Sequence, residues 1–251
     1  MKKLFLLPAS LLLLNMPASA QKTSELPASH TKARPLSEYH AIDAFNGVEV
    51  KVSRTSPTNK AGVYVEASSS GLLRKIKTVV SEQILKVYLD PDGDPAWRGV
   101  KRPENYNVRI VLDDLQTLRI TKGAVVTFES GFSLANNRTL AIDLLSGGKV
   151  LGPVHLNALT ITLRGGAEAF MRGTVSRVNV RAVEGSSFLS PGLESQDCIA
   201  YAASASYIRL GVAQTLDAQS MNEADIKYSG NPAVKNASCK DGGKILRTLK
   251  I

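Results

Sequence analysis

Four stretches in the first half of the chain alternate apolar and polar residues. They are AFNGVEVKVSR from Ala44, AGVYVEAS from Ala61, QILKVYLD from Gln83 and NYNVRIVLD from Asn105. A period of two over such lengths predicts β-strands, because successive side chains point to opposite faces. Between them, residues 71–76 (GLLRKI) read as one helical turn, though LLRKIKTVVS fits a strand nearly as well. Residues 90–99 (DPDGDPAWRG) read as a loop, with two prolines and two glycines in ten residues.

Beyond about residue 113 the alternation acquires a longer period. A small-residue pair, a variable residue and then a mostly apolar anchor recur, with anchors at Val126, Val150, Ala169, Phe188, Ile208, Ile226 and Ile245. The steps between anchors are 24, 19, 19, 20, 18 and 19 residues. Leu140, Ile142 and Leu144 lie ten, eight and six residues before Val150, and Leu159, Ile161 and Leu163 stand in the same relation to Ala169. Such a repeat with strands inside it predicts a β-solenoid. Each coil would supply about three short strands, stacked in parallel at about 4.8 Å per coil. One coil cannot bury its apolar face alone, but stacked coils can.

The same register makes further expectations. Gly123, Gly147, Gly166, Gly185 and Gly242 would stand at corners with positive φ, and Ala205 and Glu223 break that column. The interior would narrow toward the C-terminus, where Ala200, Ala202, Ala218 and Ala237 replace leucine and isoleucine. Lys235 and Asn236 fall where apolar residues are expected, as suits a terminal coil facing water. Cys198 and Cys239 fall in inward columns two coils apart, roughly 9.6 Å along the axis. That exceeds the reach of a disulfide, about 7 Å between Cα atoms, so we expect two buried free thiols.

The first twenty residues pair Lys2 and Lys3 with an apolar run and then Ala18-Ser19-Ala20, the pattern of a cleaved secretory signal peptide. We therefore expect an exported protein, periplasmic or at the cell surface, with no membrane span after cleavage. Residues 21–38 are a polar lead-in. An N-terminal β region would then cover 39–112 and the solenoid 113–251. The formal charge of +9 includes Lys2 and Lys3, which leaves +7 after cleavage. No long basic block with interleaved aromatics appears, which argues against nucleic acid as a partner.

The outward columns hold the side chains open to chemistry. Arg119, Asp143, Thr162, Arg181, Tyr201 and Gln219 stand seven residues before successive anchors. Thr117, Ala141, Thr160, Asn179, Ile199 and Asp217 stand nine before. Neither column gathers the carboxylates that a polysaccharide lyase or hydrolase needs. Asp90, Asp92 and Asp94 suggest a calcium loop, but Pro95 and Lys101 occupy its glycine and glutamate positions. His30, His40 and His155 have no neighbours at metal-ligand spacing, and no catalytic, metal or cofactor site is expected. The binding candidates are Arg119, Arg181 and Tyr201, because guanidinium groups pair with carboxylates and phosphates and a tyrosine can stack on a sugar ring.

In NEADIKYSGNPAV (222–234), Ala224, Asp225, Ile226, Tyr228, Gly230, Asn231 and Pro232 resemble the closing motif of the GIN domain family of autotransporter adhesin heads. Phe45, Gly47, Val48, Val50 and Val52, then Val63, Val65, Leu72, Leu73, Leu85 and Val87, resemble its opening. The likeness runs from about 39 to 249. Only Ser146-Gly147-Gly148 approaches the Ser-Gly-Ala-Gly corner of many members, and Glu223 replaces a glycine. The resemblance implies an exported, all-β protein of Bacteroidetes and related bacteria with a right-handed parallel β-helix body, and carries no catalytic residues. We expect Tyr228 to Pro232 to make a capping turn, with Pro232 stopping further strand pairing, and no length for a membrane barrel after the last coil. We expect an exported, non-catalytic binding or scaffolding protein of the cell envelope, adhesin-like by the resemblance and suited by Arg119, Arg181 and Tyr201 to an acidic glycan or envelope polymer. The alternatives are a carbohydrate-active enzyme and a signalling accessory that binds an envelope protein.

Overall fold

The alternation becomes strands throughout. In the computed structural model residues 30–34, 38–90, 106–134 and 138–249 are described, without the side chains of 30–32. The expected signal peptide, most of the polar lead-in and all but Asp90 of the DPDGDPAWRG loop lie outside these residues.

The strands are β1 (His30–Arg34), β2 (Ala41–Phe45), β3 (Glu49–Ser53) and β4 (Gly62–Ala67). After a short helix α1 (Ser70–Lys75) come β5 (Ile76–Ser81), β6 (Ile84–Leu89) and β7 (Tyr106–Val111). Then follow β8 (Thr117–Ile120), β9 (Val125–Phe128), β10 (Thr139–Leu145), β11 (Lys149–Arg164) and β12 (Glu168–Ala182). The chain continues with β13 (Ser187–Ala203), β14 (Tyr207–Met221), β15 (Asp225–Ser229), β16 (Ala233–Lys240) and β17 (Lys244–Arg247). LLRKIKTVVS is both things its pattern allowed, since Leu72–Lys75 finish the helix and Ile76–Ser81 form β5.

The repeat is a parallel β-solenoid. Val126, Val150, Ala169, Phe188, Ile208, Ile226 and Ile245 pair successively in register, so the anchors form one interior file. Val50 pairs with Val126 and extends the file backward. A second interior file, on the other face, runs Ile42, Leu118, Ile142, Ile161, Val180, Ala200, Ala218 and Ala237. Each full coil is one continuous run of strand pairing 15–17 residues long, which turns within its length where Gly152 and Gly173 take positive φ (117° and 113°) and where the inward positions slip from Leu156 to Leu159 and from Val175 to Val178. Coils of 18, 19 and 20 residues coexist because shifts near Ala169–Gly173, Leu189–Glu194 and Ser195–Asp197 absorb the differences at the bend.

The corner explains the small-small-variable-apolar signature. Two consecutive residues take left-handed φ, as in Ser146 (50°) and Gly147 (73°), and Gly148 N–H closes the turn on Leu145 O at 3.0 Å. Left-handed φ at both central positions defines a type I′ turn, where glycine has no Cβ to strain. Gly123, Gly166, Gly185 and Gly242 hold the same place, while Ala205 (54°) and Glu223 (61°) accept it with a side chain. The next residue must also be small. Ala124, Gly148, Ala167, Ser186, Ser206 and Ala224 are buried, and a Cβ on Gly148 would overlap Ile120 O.

The parallel stack reaches back to Ala41. Strand β2 lies between β6 and β8, and β3 lies between β7 and β9, each in parallel. The antiparallel pairs β5–β6, β4–β7 and β1–β4 close this end. Arg34 fastens it by donating to Thr78 Oγ1 and Ile76 O, both at 2.8 Å.

The last coil corrects three expectations. Val234 pairs with Leu216 and Asn236 with Asp217, so Lys235 is an extra residue in a β-bulge. Lys235 and Asn236 are therefore not inward substitutes for apolar residues. Pro232 does not end the pairing, because the chain resumes it at Ala233; Tyr228 to Pro232 form the bend of the last coil. Cys239 is exposed, because no coil of the described residues stacks over it, whereas Cys198 is buried and both thiols are free. Burial pushes the Cys198 thiol up to about 12, which keeps it protonated and unreactive at neutral pH. A thiol-alkylating label is expected to modify Cys239 alone in the native protein and both cysteines after denaturation without reductant. Labelling of neither would mean a bond between them.

Candidate functional site

The alternation that sends Val178, Val180 and Ala182 inward sends Arg177, Asn179 and Arg181 outward from the second half of β12. The next coil contributes Asp197, Ile199 and Tyr201, and the one after it Thr215, Asp217 and Gln219. Together with Ala158 and Thr160 of β11, several of these line a shallow cleft of about 430 Å3. Ala158 and Thr160 are short side chains of its lining. Ile199 is 56% exposed within it, and Lys235 enters from the bulge in β16.

The predicted column exists as one continuous outward row. Its order is Lys86, Asp43, Arg119, Asp143, Thr162, Arg181, Tyr201, Gln219 and Ser238. The structure divides the three candidates along it. Arg181 lies over the Tyr201 ring, with the guanidinium carbon 4.0 Å from the ring centroid. Arg119 stands three coils away, roughly 14 Å by the strand spacing, between Asp43 and Asp143 in register. Burial pushes the Asp43 carboxyl up, and Arg119, Lys86 and Lys122 pull it back. Asp143 also pairs with Arg164 at 3.5 Å. Arg119 is thus part of a compensated charge ladder. Arg181 has a threonine on one side and a tyrosine on the other, so its charge has no carboxylate beside it in the row.

The cleft carboxylates are also held. Thr215 Oγ1 donates to Asp197 at 2.5 Å and Asn236 Nδ2 to Asp217 at 3.2 Å. Among the described residues, no group of three or more His, Cys, Asp or Glu is placed to hold a metal ion. Arg177, Asp197 and Lys235 were missed by the sequence reading. The column eleven before each anchor contains the first two, so the same register read one column further finds them. No column finds Lys235, because a bulge residue belongs to none.

A larger cavity, about 570 Å3, lies at the closed end between Arg34, Tyr39, His40 and residues 111–114. Arg34 is spent there on Thr78 and the backbone. Burial pushes the Tyr39 phenol up to about 12. The cleft beside Arg181 is the better-defined candidate.

The chain is thus a parallel solenoid that presents polar groups and an aromatic in one outward row. The sequence matches the family model described as "Putative auto-transporter adhesin, head GIN domain" over residues 38–232, and the chain belongs to that family. Among solved structures it is similar to a "putative adhesin" from Bacteroides fragilis NCTC 9343, at 17% identity and TM-score 0.74, covering 88% of this chain and 97% of that one. It is also similar to a "putative lipid binding protein" from Parabacteroides distasonis ATCC 8503, at 19% identity and TM-score 0.67, covering 88% and 96%. A "putative adhesin" from Parabacteroides merdae ATCC 43184 shares 12% identity at TM-score 0.60, covering 88% and 96%. At these identities the likeness is one of fold. No curated relative matches the sequence.

Proposed function

We propose that the protein is an exported, adhesin-like binding protein of the cell envelope whose outer face, from Arg181 to the cleft, recognises an acidic glycan. One observation carries this: a guanidinium without a carboxylate beside it in its row is stacked on a tyrosine at the edge of a cleft that also holds Arg177, Lys235 and an exposed isoleucine. Stacking on the ring orients the guanidinium, and desolvation of the pair by a ligand strengthens its pull on an anion. A sugar ring could lie on Tyr201 and Ile199 while its carboxylate meets Arg177 or Arg181. Asn179, Thr160 and Asp217 supply hydrogen-bonding partners for hydroxyls. Family membership supports export and a binding role, and the expected signal peptide agrees with it.

Arg181→Ala is expected to weaken binding to a polyuronate on a glycan array by about tenfold, roughly 1.4 kcal/mol, with thermal stability unchanged. Arg119→Ala, in the compensated ladder, should leave binding intact. Equal losses from both variants would mean diffuse charge attraction instead of a site. Turnover of the polymer, lost on substituting Asp143, would favour the enzyme alternative. Co-purification of a membrane protein would favour the signalling accessory.

A further inference from the structure

The two ends of the stack are built differently. At the N-terminal end Val63, Val65, Ile76 and Leu85 are fully buried beneath antiparallel strands. At the C-terminal end, among the described residues, β16 pairs only with β14 and β17 only with β15. Val234, Leu246 and Leu249 are 46%, 47% and 89% exposed there, and Cys239 is exposed. Two strand edges therefore have no neighbour among the described residues. Lys244 N–H donates to Ala224 O at 2.9 Å and Thr248 N–H to Tyr228 O at 2.7 Å. Alternation along the strand then turns the N–H groups of Ile245 and Arg247 away from β15, toward the open side. An edge of this kind is a template for pairing unless it is covered or blocked.

We propose that this open C-terminal edge takes up an acidic extended segment of a partner polypeptide as an added strand. Charge selects the occupant. The segment from β16 through β17 carries Lys235, Lys240, Lys244 and Arg247 against Asp241 alone, a net of +3. Among the described residues, none of the four cations is ion-paired. A second copy brought edge to edge would set this positive charge against its own duplicate, which is unfavourable at close range. An acidic strand along β17 would satisfy the outward N–H and C=O groups of Ile245 and Arg247, cover Ile245, and neutralise the neighbouring cations. Main-chain bonds supply affinity in such additions, and side chains supply choice.

The test uses the full chain and a short fluorescein-labelled peptide alternating valine and glutamate, with a valine–lysine twin as control. Fluorescence anisotropy is expected to show binding of the glutamate peptide, at least about tenfold tighter than its twin and weakening as salt rises. Amide exchange at Ile245 and Arg247 should slow in the complex. Arg247→Pro removes one outward N–H without touching the ladder to β15 and should abolish binding, whereas Arg247→Gln should weaken it only a few fold. Should the proline variant not fold, the Lys244→Glu, Arg247→Glu double variant decides, and it should prefer the lysine peptide. Proline and glutamine variants that bind alike, or unchanged amide exchange, would reduce the effect to non-specific charge and overturn strand addition. So would self-association of the protein that Arg247→Pro breaks, which would make a second copy the occupant.

Discussion

Truncating Phe188 to alanine is expected to destabilise the protein by about 3–5 kcal/mol. The ring is fully buried in the interior file, between Ala169 of one coil and Ile208 of the next. Ala169 is short, and the phenylalanine above it fills the space that alanine leaves. A cavity at this point cannot close by collapse along the axis, because the backbone ladders on both faces hold coils at about 4.8 Å. The full transfer and cavity costs should therefore appear. Urea unfolding followed by circular dichroism measures the loss, with Phe188→Leu as the volume-sparing comparator expected near 1 kcal/mol. Losses below about 1 kcal/mol for the alanine variant would place the ring outside the file.

A comparable effect is expected from one added methyl group. At Gly230 φ is 103° and an added Cβ would lie in overlap with Val212 O of the coil below. The obstruction is backbone, held in place by the strand pairing around it, so no side chain can swing aside. Gly230→Ala should cost about 4 kcal/mol or more, among the largest single-residue effects. Gly147→Ala is the control. It also sits at positive φ, 73°, but an added Cβ there meets nothing within 4 Å. Only the left-handed conformation is penalised, at about 1–2 kcal/mol. Thermal unfolding of the two variants separates a steric contact between coils from local backbone strain. Equal shifts would show that Gly230 is needed for its torsion angle alone.

The interior was legible because parallel stacking at constant spacing turns position in the coil into position in space. Val150, Ala169 and Phe188 share a file for the same reason that they share a sequence offset. Arg181 and Tyr201 were legible as neighbours by the same arithmetic. What the offsets could not convey was chemistry across the stack. Arg119 looks equivalent to Arg181 in its column, yet the coil on either side of Arg119 brings a carboxylate. One of those, Asp43, comes from the first strands, beyond the reach of the repeat. Lys235 was misplaced because a single extra residue in β16 exchanges inward for outward, and nothing local marks such a residue. Cys239 was misjudged because an inward position is buried only when another coil follows. The bend was hard to read because the inward positions slip, from Leu156 to Leu159 and from Val175 to Val178, while the strand pairing runs on across the slip, so nothing ends one strand and starts the next.

The first strands also bear on how the molecule meets force. Strands β2 and β3 are threaded between the closing layer and the first full coils, so the amino end is latched on both sides. Among the described residues, the carboxyl end has neighbours on one side only. Tension applied there would peel β17 and β16 and then successive coils one at a time, each yielding independently as in other linear arrays. A head tethered by its amino end would dissipate shear stepwise and keep its anchorage until the last loops of the spiral give way.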